Sequence, residues 1–269
     1  MRNLEFPSAL PCSDHPTAIR GNPGRPRIAG HNGQVTGKGF KVPTGEVHVW
    51  WASLDVDGRT LTHMEGLLDD RELERAARFR VVEARRRFIA ARAVLRSVVG
   101  ELCDTEPAAV LFAYGERGKP RLVDGRPHFH ASDSGDFVVV ARADAELGVD
   151  LEVLRPLPRR ERLARRICTA SELAALSRIA AGQRDAALLR LWTCKEAALK
   201  AIGVGLAGGV RNVEVELDGG GGRRLERLCG ESDGWELLPV DLGPRLACSI
   251  VVRGSGYTAI TRHFVFPTG

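Results

Sequence analysis

The chain reads as a mixture of helices and strands, and three features carry that reading. One segment, Leu191–Leu206, has helical spacing of its apolar residues. A second, Glu146–Val153, alternates strictly between apolar and polar residues. Short strand-like runs then follow, at Val213–Leu217, Gly234–Pro239 and Ala247–Val252, separated by turn residues that include Gly219–Gly222.

In the helical segment, Leu191, Cys194, Ala198, Ala201 and Ile202 fall on one apolar face. Trp192, Glu196 and Lys200 recur every four residues and form a stripe beside it, which sets a carboxylate and an ammonium one turn apart. Gly203 and Gly205 then stop the helix. An ordinary amphipathic helix with a surface Glu–Lys pair would show the same spacing. In the alternating segment, Leu147, Val149, Leu151 and Val153 share one face of a half-buried strand, so Asp150 and Glu152 point the same way from the other. Adjacent carboxylates repel, and a hard divalent cation such as Mg²⁺ removes that cost. A solvent-facing strand edge would also carry two acids.

Taken from the start, Met1–Thr44 is rich in Gly, Pro and polar residues without periodicity, and reads as a flexible arm extending to residue 45. Gly45–Ala52 is a strand candidate, with His48 as a solvent-side residue. Leu67–Phe79 and Ala84–Val99 read as helices, the second with Phe88, Ala91, Val94, Leu95 and Val98 on one face and Arg87, Arg92 and Arg96 off it. Gly118-Lys119-Pro120 reads as a turn between strand-like segments, leaving Lys119 free to reach an anion. His128 and His130 would share a face on a strand, but no third metal ligand accompanies them. Phe137–Ala141 is an apolar strand run and Leu157–Leu176 reads as helical; residues 256–269 read as a tail.

Composition bounds the function. At 269 residues, 43% hydrophobic and 27% charged, the chain is long enough for a sizeable core in one domain or two small lobes. No uninterrupted apolar run reaches the length of a transmembrane helix, and no secretory h-region opens the chain. The six cysteines (12, 103, 168, 194, 229 and 248) are scattered with no CxxC pair, so the expectation is a reduced, cytoplasmic protein. The net charge of +5 comes with no nucleic-acid-binding motif; a positive field serves equally to attract an anionic cofactor and an acidic protein partner.

Two stretches together resemble the surfactin-type 4′-phosphopantetheinyl transferases. They are Gly148-Val149-Asp150-Leu151-Glu152 and the run from Trp192 through Lys195, Glu196 and Lys200 to Gly203, Gly205 and Leu206. The resemblance spans roughly Glu46 to Val252. It implies an α+β fold of two similar lobes, each a helix on a small sheet, related by a pseudo-twofold axis, with residues 46–145 as the N-terminal lobe and 146–255 as the C-terminal lobe. It implies transfer of 4′-phosphopantetheine from coenzyme A to a serine of an apo carrier protein of polyketide, non-ribosomal peptide or fatty-acid type, releasing 3′,5′-ADP.

By the same resemblance, Asp150, Glu152 and Glu196 hold Mg²⁺, Glu196 is the base and Lys200 stabilises the leaving group. Arg75, Arg87, Lys119, Ser132, Asp133 and Lys195 meet the cofactor, with Arg87 the leading phosphate contact. Arg96 is read as a structural bridge between lobes, Trp192 as a packing residue, and Glu172 as the family's acid ahead of the catalytic helix. The run His128–Gly135 departs from the family loop, with His130 in place of Asn and Asp133 in place of the His that meets a phosphate. The expectation is a loop that turns Asp133 outward; a catalytically weakened coenzyme A- or carrier-binding homologue is the alternative. A monomer with no nucleic-acid or membrane partner completes the expectation.

Overall fold

The computed structural model describes residues 45–114, 120–123, 125, 127–205, 209–217, 223–229 and 234–266. The Met1–Thr44 arm, Gly118, Lys119, Leu206 and the Gly219–Gly222 turn lie outside the described residues.

Two sheets lie back to back with a long helix on the outer face of each. The first sheet has the order β11-β1-β5-β4, from β1 (Glu46–Ser53), β4 (His128–Ser134), β5 (Phe137–Ala143) and β11 (Thr258–His263). The second has the order β6-β10-β9, from β6 (Leu147–Val153), β9 (Trp235–Val240) and β10 (Leu246–Arg253), all antiparallel. Small hairpins flank them: β2 (Phe112–Tyr114) with β3 (Pro120–Leu122), and β7 (Val213–Leu217) with β8 (Arg223–Leu228). The helices are α1 (Gly58–Glu65), α2 (Asp70–Ala77), α3 (Val82–Cys103), α4 (Arg160–Ile167), α5 (Ala170–Arg178) and α6 (Arg184–Ala201).

Strand alternation divides the core into three. Trp50, Ala52, Val138 and Val140 face α3, where they meet Ile89, Val94 and Val98. On the opposite face of the same strands, Val47, Val49, Val139 and Ala141 pack against Leu147, Val149, Leu151 and Ile250 of the second sheet. Beyond that sheet, Leu188, Leu191, Ala198 and Leu199 of α6 pack with Val213 and Val251. Because β6 is covered on both faces, Asp150 and Glu152 are buried (2% and 5% exposed), where alternation alone suggests a half-exposed strand. Helix α6 is likewise buried nearly all round from Leu188 to Ala201, not merely along one stripe.

The two halves repeat one buried polar knot. In the first, Asp69 and Glu72 form a capping box at the start of α2, and the fully buried Arg96 of α3 donates to Glu72 Oε2 and Asp69 Oδ2, both at 2.6 Å. Arg96 also donates to the carbonyls of Pro107 and Val110, at 3.1 Å each. In the second, Thr169 and Glu172 form the same box on α5, and the fully buried Lys195 of α6 contacts Glu172 Oε2 at 2.8 Å. Lys195 donates in turn to the carbonyls of Val213 (2.7 Å) and Val210 (3.4 Å). Each knot fastens a short helix and a following 3₁₀ turn to the long helix of its own half. Arg96 therefore bridges elements within one half and does not join the lobes.

Three further sequence expectations change. The capping box at Thr169 splits the helix expected over Leu157–Leu176 into α4 and α5. His128–Ser134 is a strand paired along its length with β5, not a loop. The tail expected at 256–269 supplies β11, parallel to β1, and then Phe264 and Phe266, which pack on the α3 core. An apolar and β-branched run such as Thr258-Ala259-Ile260-Thr261 gains a full ladder at the free edge of β1, which leaves it no reason to remain a tail.

Candidate active site

The site forms where β4, β6 and α6 meet, and a glycine lets them meet. A Cβ at Gly148 would lie 2.2 Å from the Ala197 carbonyl oxygen and 2.4 Å from the Ala201 nitrogen. Only a residue without a side chain allows the backbone of α6 to rest on β6 this closely. That contact carries Glu196 and Lys200 down to Asp150, two positions beyond the glycine.

β4 joins β6 through side chains in place of a backbone ladder. The N–H groups of Val149, Leu151 and Val153 donate to His130 Nδ1 (3.1 Å), Ser132 Oγ (3.3 Å) and Ser134 Oγ (3.2 Å). The two serines pass the interaction on: Ser132 Oγ donates to Asp150 Oδ1 and Ser134 Oγ to Glu152 Oε2, both at 2.9 Å. The imidazole at 130, which departs from the expected asparagine, thus supplies an acceptor for a β6 amide.

Charge within the site is concentrated and incompletely paired. Lys200 Nζ lies 2.5 Å from Asp150 Oδ1 and donates to Ser132 Oγ at 3.1 Å. Arg155 donates to Glu152 Oε2 at 2.9 Å from a half-exposed position. Asp150 Oδ2 and Glu196 Oε1 are buried without a hydrogen-bond partner. Burial raises the Asp150 carboxyl above its usual range, with Lys200 pulling the other way. Burial, then the Asp150 charge, pushes Glu196 up to about 7. Burial pulls the Lys200 ammonium down, but Asp150, Glu196 and Asp133 outweigh it and the net shift is upward.

Asp133 sits on the exposed side of β4. Loss of hydration there raises its carboxyl, opposed by the fields of Lys200, Arg75 and Arg92. The expected loop is a strand here, and Asp133 is exposed on it within electrostatic reach of those three cations. Arg75 lies over the Phe88 ring, 5.3 Å from its centroid.

The structure brings Asp150, Glu152, Glu196, Lys200 and Ser132 together, with Asp133 and Arg75 within electrostatic reach. It does not bring Lys195, whose ammonium is sealed in the Glu172 knot on the far side of α6; one residue from Glu196 on a helix is a turn of roughly 100° away. Arg87 is exposed and pairs with Asp136 in the β4–β5 turn at 2.7 Å. Ser132 is buried and already fully bonded, so its hydroxyl orients Asp150 and Lys200 and does not face an open cleft. Trp192 is buried in the α6 core, as a packing residue should be.

Sequence reasoning missed Arg92 as a site residue. It pairs with Glu72, donates to the Tyr114 hydroxyl at 2.9 Å, and contributes to the field at Asp133. Its i, i+4 relation to Arg96 on α3 was the available signal.

The donor chemistry fits a hard divalent cation in part. Two buried carboxylate oxygens without partners, on Asp150 and Glu196, are the kind such an ion seeks. Yet among the described residues no three His, Cys, Asp or Glu side chains are arranged to hold a metal ion. Of the expected trio Asp150, Glu152 and Glu196, one Asp150 oxygen is covered by Lys200, and Glu152 Oε2 by Ser134 and Arg155.

Comparison with known proteins gives a consistent family. Residues 146–251 match the model of the 4′-phosphopantetheinyl transferase superfamily, and residues 55–145 match that of the 4′-phosphopantetheinyl transferase N-terminal region. The chain is 34% identical over 224 residues to the 4′-phosphopantetheinyl transferase HetI of Nostoc sp., covering 81% of this chain and 92% of the relative. It is 34% identical over 153 residues to a putative 4′-phosphopantetheinyl transferase of Synechocystis sp., covering 55% of this chain and 62% of that one. To the 4′-phosphopantetheinyl transferase psf-1 of Bacillus pumilus it is 32% identical over 144 residues, 53% of this chain and 60% of the relative.

Proposed function

The chain belongs to the 4′-phosphopantetheinyl transferase family, and from that premise we propose how its residues carry the family's reaction. The enzyme transfers the 4′-phosphopantetheine group of coenzyme A to a serine of an apo carrier protein. The serine oxygen bonds to the phosphorus next to pantetheine, the diphosphate P–O bond breaks, and 3′,5′-ADP leaves with the bonding electrons.

One observation carries the assignment of roles: Glu196 is a buried carboxylate with an unpartnered oxygen, raised to about 7, one helical turn from a lysine. A carboxylate held near neutrality takes the serine proton efficiently, directly or through a water. The Lys200 ammonium would meet the negative charge that develops on the departing oxygen. The charges of Arg75 and Arg92 reach Asp133 and would complement the anionic donor.

Asp150 and Glu196 are the residues that would hold Mg²⁺, with Glu152 beside them. When bound, the ion would neutralise the diphosphate and polarise the phosphorus under attack. The carriers we infer are of the polyketide, non-ribosomal peptide or fatty-acid type. The free cysteines at 103, 168, 194, 229 and 248 support a reducing cytoplasm, and a monomer is the proposed working unit. Among the described residues, no helix is long and apolar enough to cross a membrane.

The test is to incubate the protein with coenzyme A, Mg²⁺ and an apo carrier protein and to read the carrier's mass. A gain of one phosphopantetheine group is expected. Asp150→Ala should slow that gain by about 10²-fold or more, equivalent to about 2.7 kcal/mol of transition-state stabilisation. An Asp150→Ala protein with unchanged rate and Mg²⁺ dependence would remove Asp150 from the reaction.

A further inference from the structure

Lys200 does not stand free in the cleft. Its ammonium contacts Asp150 Oδ1 at 2.5 Å and donates to Ser132 Oγ at 3.1 Å, and its side chain is only 16% exposed. The two carboxylate oxygens left without partners, Asp150 Oδ2 and Glu196 Oε1, belong to the two acids whose charges act on that ammonium. One cation thus serves two buried acids, and the arrangement leaves one oxygen on each unsatisfied.

From this geometry we propose that Lys200 is the resting counterion of Asp150 and exchanges with a divalent cation. A dication taken up on Asp150 Oδ2 and Glu196 Oε1 would share a single carboxylate with the ammonium. Like charges so close, and so little hydrated, repel strongly. The ammonium therefore leaves Asp150 when the ion arrives, and it leaves on the end of a flexible four-carbon stem. Asp133 is a further negative charge that acts on that ammonium. Loading the site would by this route release Lys200 to the diphosphate, so that the catalytic cation is delivered only after the divalent ion is present. Without Lys200, an empty site would hold Asp150 and Glu196 beside Glu152 with only Arg155, bonded to Glu152, as an ion-paired cation among the described residues. The inference rests on the reading that Asp150 and Glu196 take the ion.

The decisive measurement is calorimetric titration of Mn²⁺ into the full chain, without coenzyme A or carrier. Wild type is compared with Lys200→Met, which keeps the stem and removes the charge. Arg75→Met serves as a control that removes a cation of the same cleft not bonded to Asp150. Lys200→Met should bind Mn²⁺ about tenfold tighter or better, and Arg75→Met should change affinity by less than about threefold. Affinity in Lys200→Met equal to or weaker than wild type overturns the proposal. Equal tightening in both variants also overturns it, because the effect is then one of general charge. Absence of Mn²⁺ binding in all three proteins removes the metal reading and the exchange with it, whereas binding that is merely insensitive to Lys200 removes the exchange alone. Should Lys200→Met fold poorly, the ¹⁵N signal of the Lys200 ammonium in wild type gives the same answer. It should shift and lose protection as Mg²⁺ saturates the site, and an unmoved signal overturns the proposal.

Discussion

Replacing Gly148 by alanine tests whether close contact between β6 and α6 builds the active site. The added Cβ meets backbone atoms of Ala197 and Ala201, not flexible side chains, so no rotamer change relieves it. Moving the 2.2 Å contact out to the 3.0 Å below which real Cβ atoms essentially never come requires the helix to back off by about 0.8 Å. Such overpacking typically costs about 1–3 kcal/mol, which lowers Tm by roughly 2–4 °C per kcal/mol in a chain of this size. The same retreat lifts Glu196 and Lys200 from Asp150 and breaks the 2.5 Å contact. Misplacement of catalytic groups by about 1 Å can cost on the order of 10²-fold in rate. Gly148→Ala should therefore lose both stability and turnover, read by thermal unfolding and by carrier mass at saturating coenzyme A. A variant within about 1 °C of wild type in Tm and within about twofold in kcat would refute the reasoning.

Three further outcomes are expected. Glu196→Gln should lower kcat by roughly 10²–10⁴-fold and abolish the acid limb of the pH profile, which in wild type falls near or below pH 7. Because the folded-state value of Glu196 is raised, ionising it costs stability as pH rises from about 4.5 towards about 7; in metal-free buffer Glu196→Gln should then match wild-type Tm at pH 4 and exceed it at pH 8. Glu172→Ala strips the buried Lys195 ammonium of its counterion and should cost about 3–5 kcal/mol, seen as a lower urea midpoint; an unchanged midpoint would show that the knot does not hold α5 and α6 together. Asp133→His replaces an acid in the cleft by a donor and should tighten coenzyme A about tenfold, the equivalent of one charge-assisted bond; a titration showing no change would place Asp133 away from the bound phosphates.

The sequence legibly carried the order of elements and the chemistry of the site. Strict alternation at Leu147–Val153 and helical spacing at Leu191–Ile202 survive into β6 and α6, because backbone periodicity is local and needs no partner to be read. Spacing singled out the acids at 150, 152 and 196 and the lysine at 200, the family resemblance made a site of them, and the fold brings them together. The doubled architecture was not visible, because its two knots use different residues for one task. Arg96 with Asp69 and Glu72 performs in one half what Lys195 with Thr169 and Glu172 performs in the other.

What only tertiary structure decided is which charges are sealed and which are presented. Lys195 and Lys200 lie five residues apart on one helix and are chemically alike, yet one is locked under α5 and the other reaches Asp150. Helix periodicity gives their relative direction, but which direction is interior depends on where the sheet and α5 lie. The same holds for residues 258–266, which a linear reading leaves loose and which become an edge strand and two core phenylalanines once the edge of β1 exists to receive them. It holds also for β4, whose serines and histidine form an unremarkable polar run until β6 arrives alongside and takes each of them as the acceptor for one of its amides. Long-range pairing has no signature in local spacing, since the residues concerned acquire partners only when distant segments are already in place.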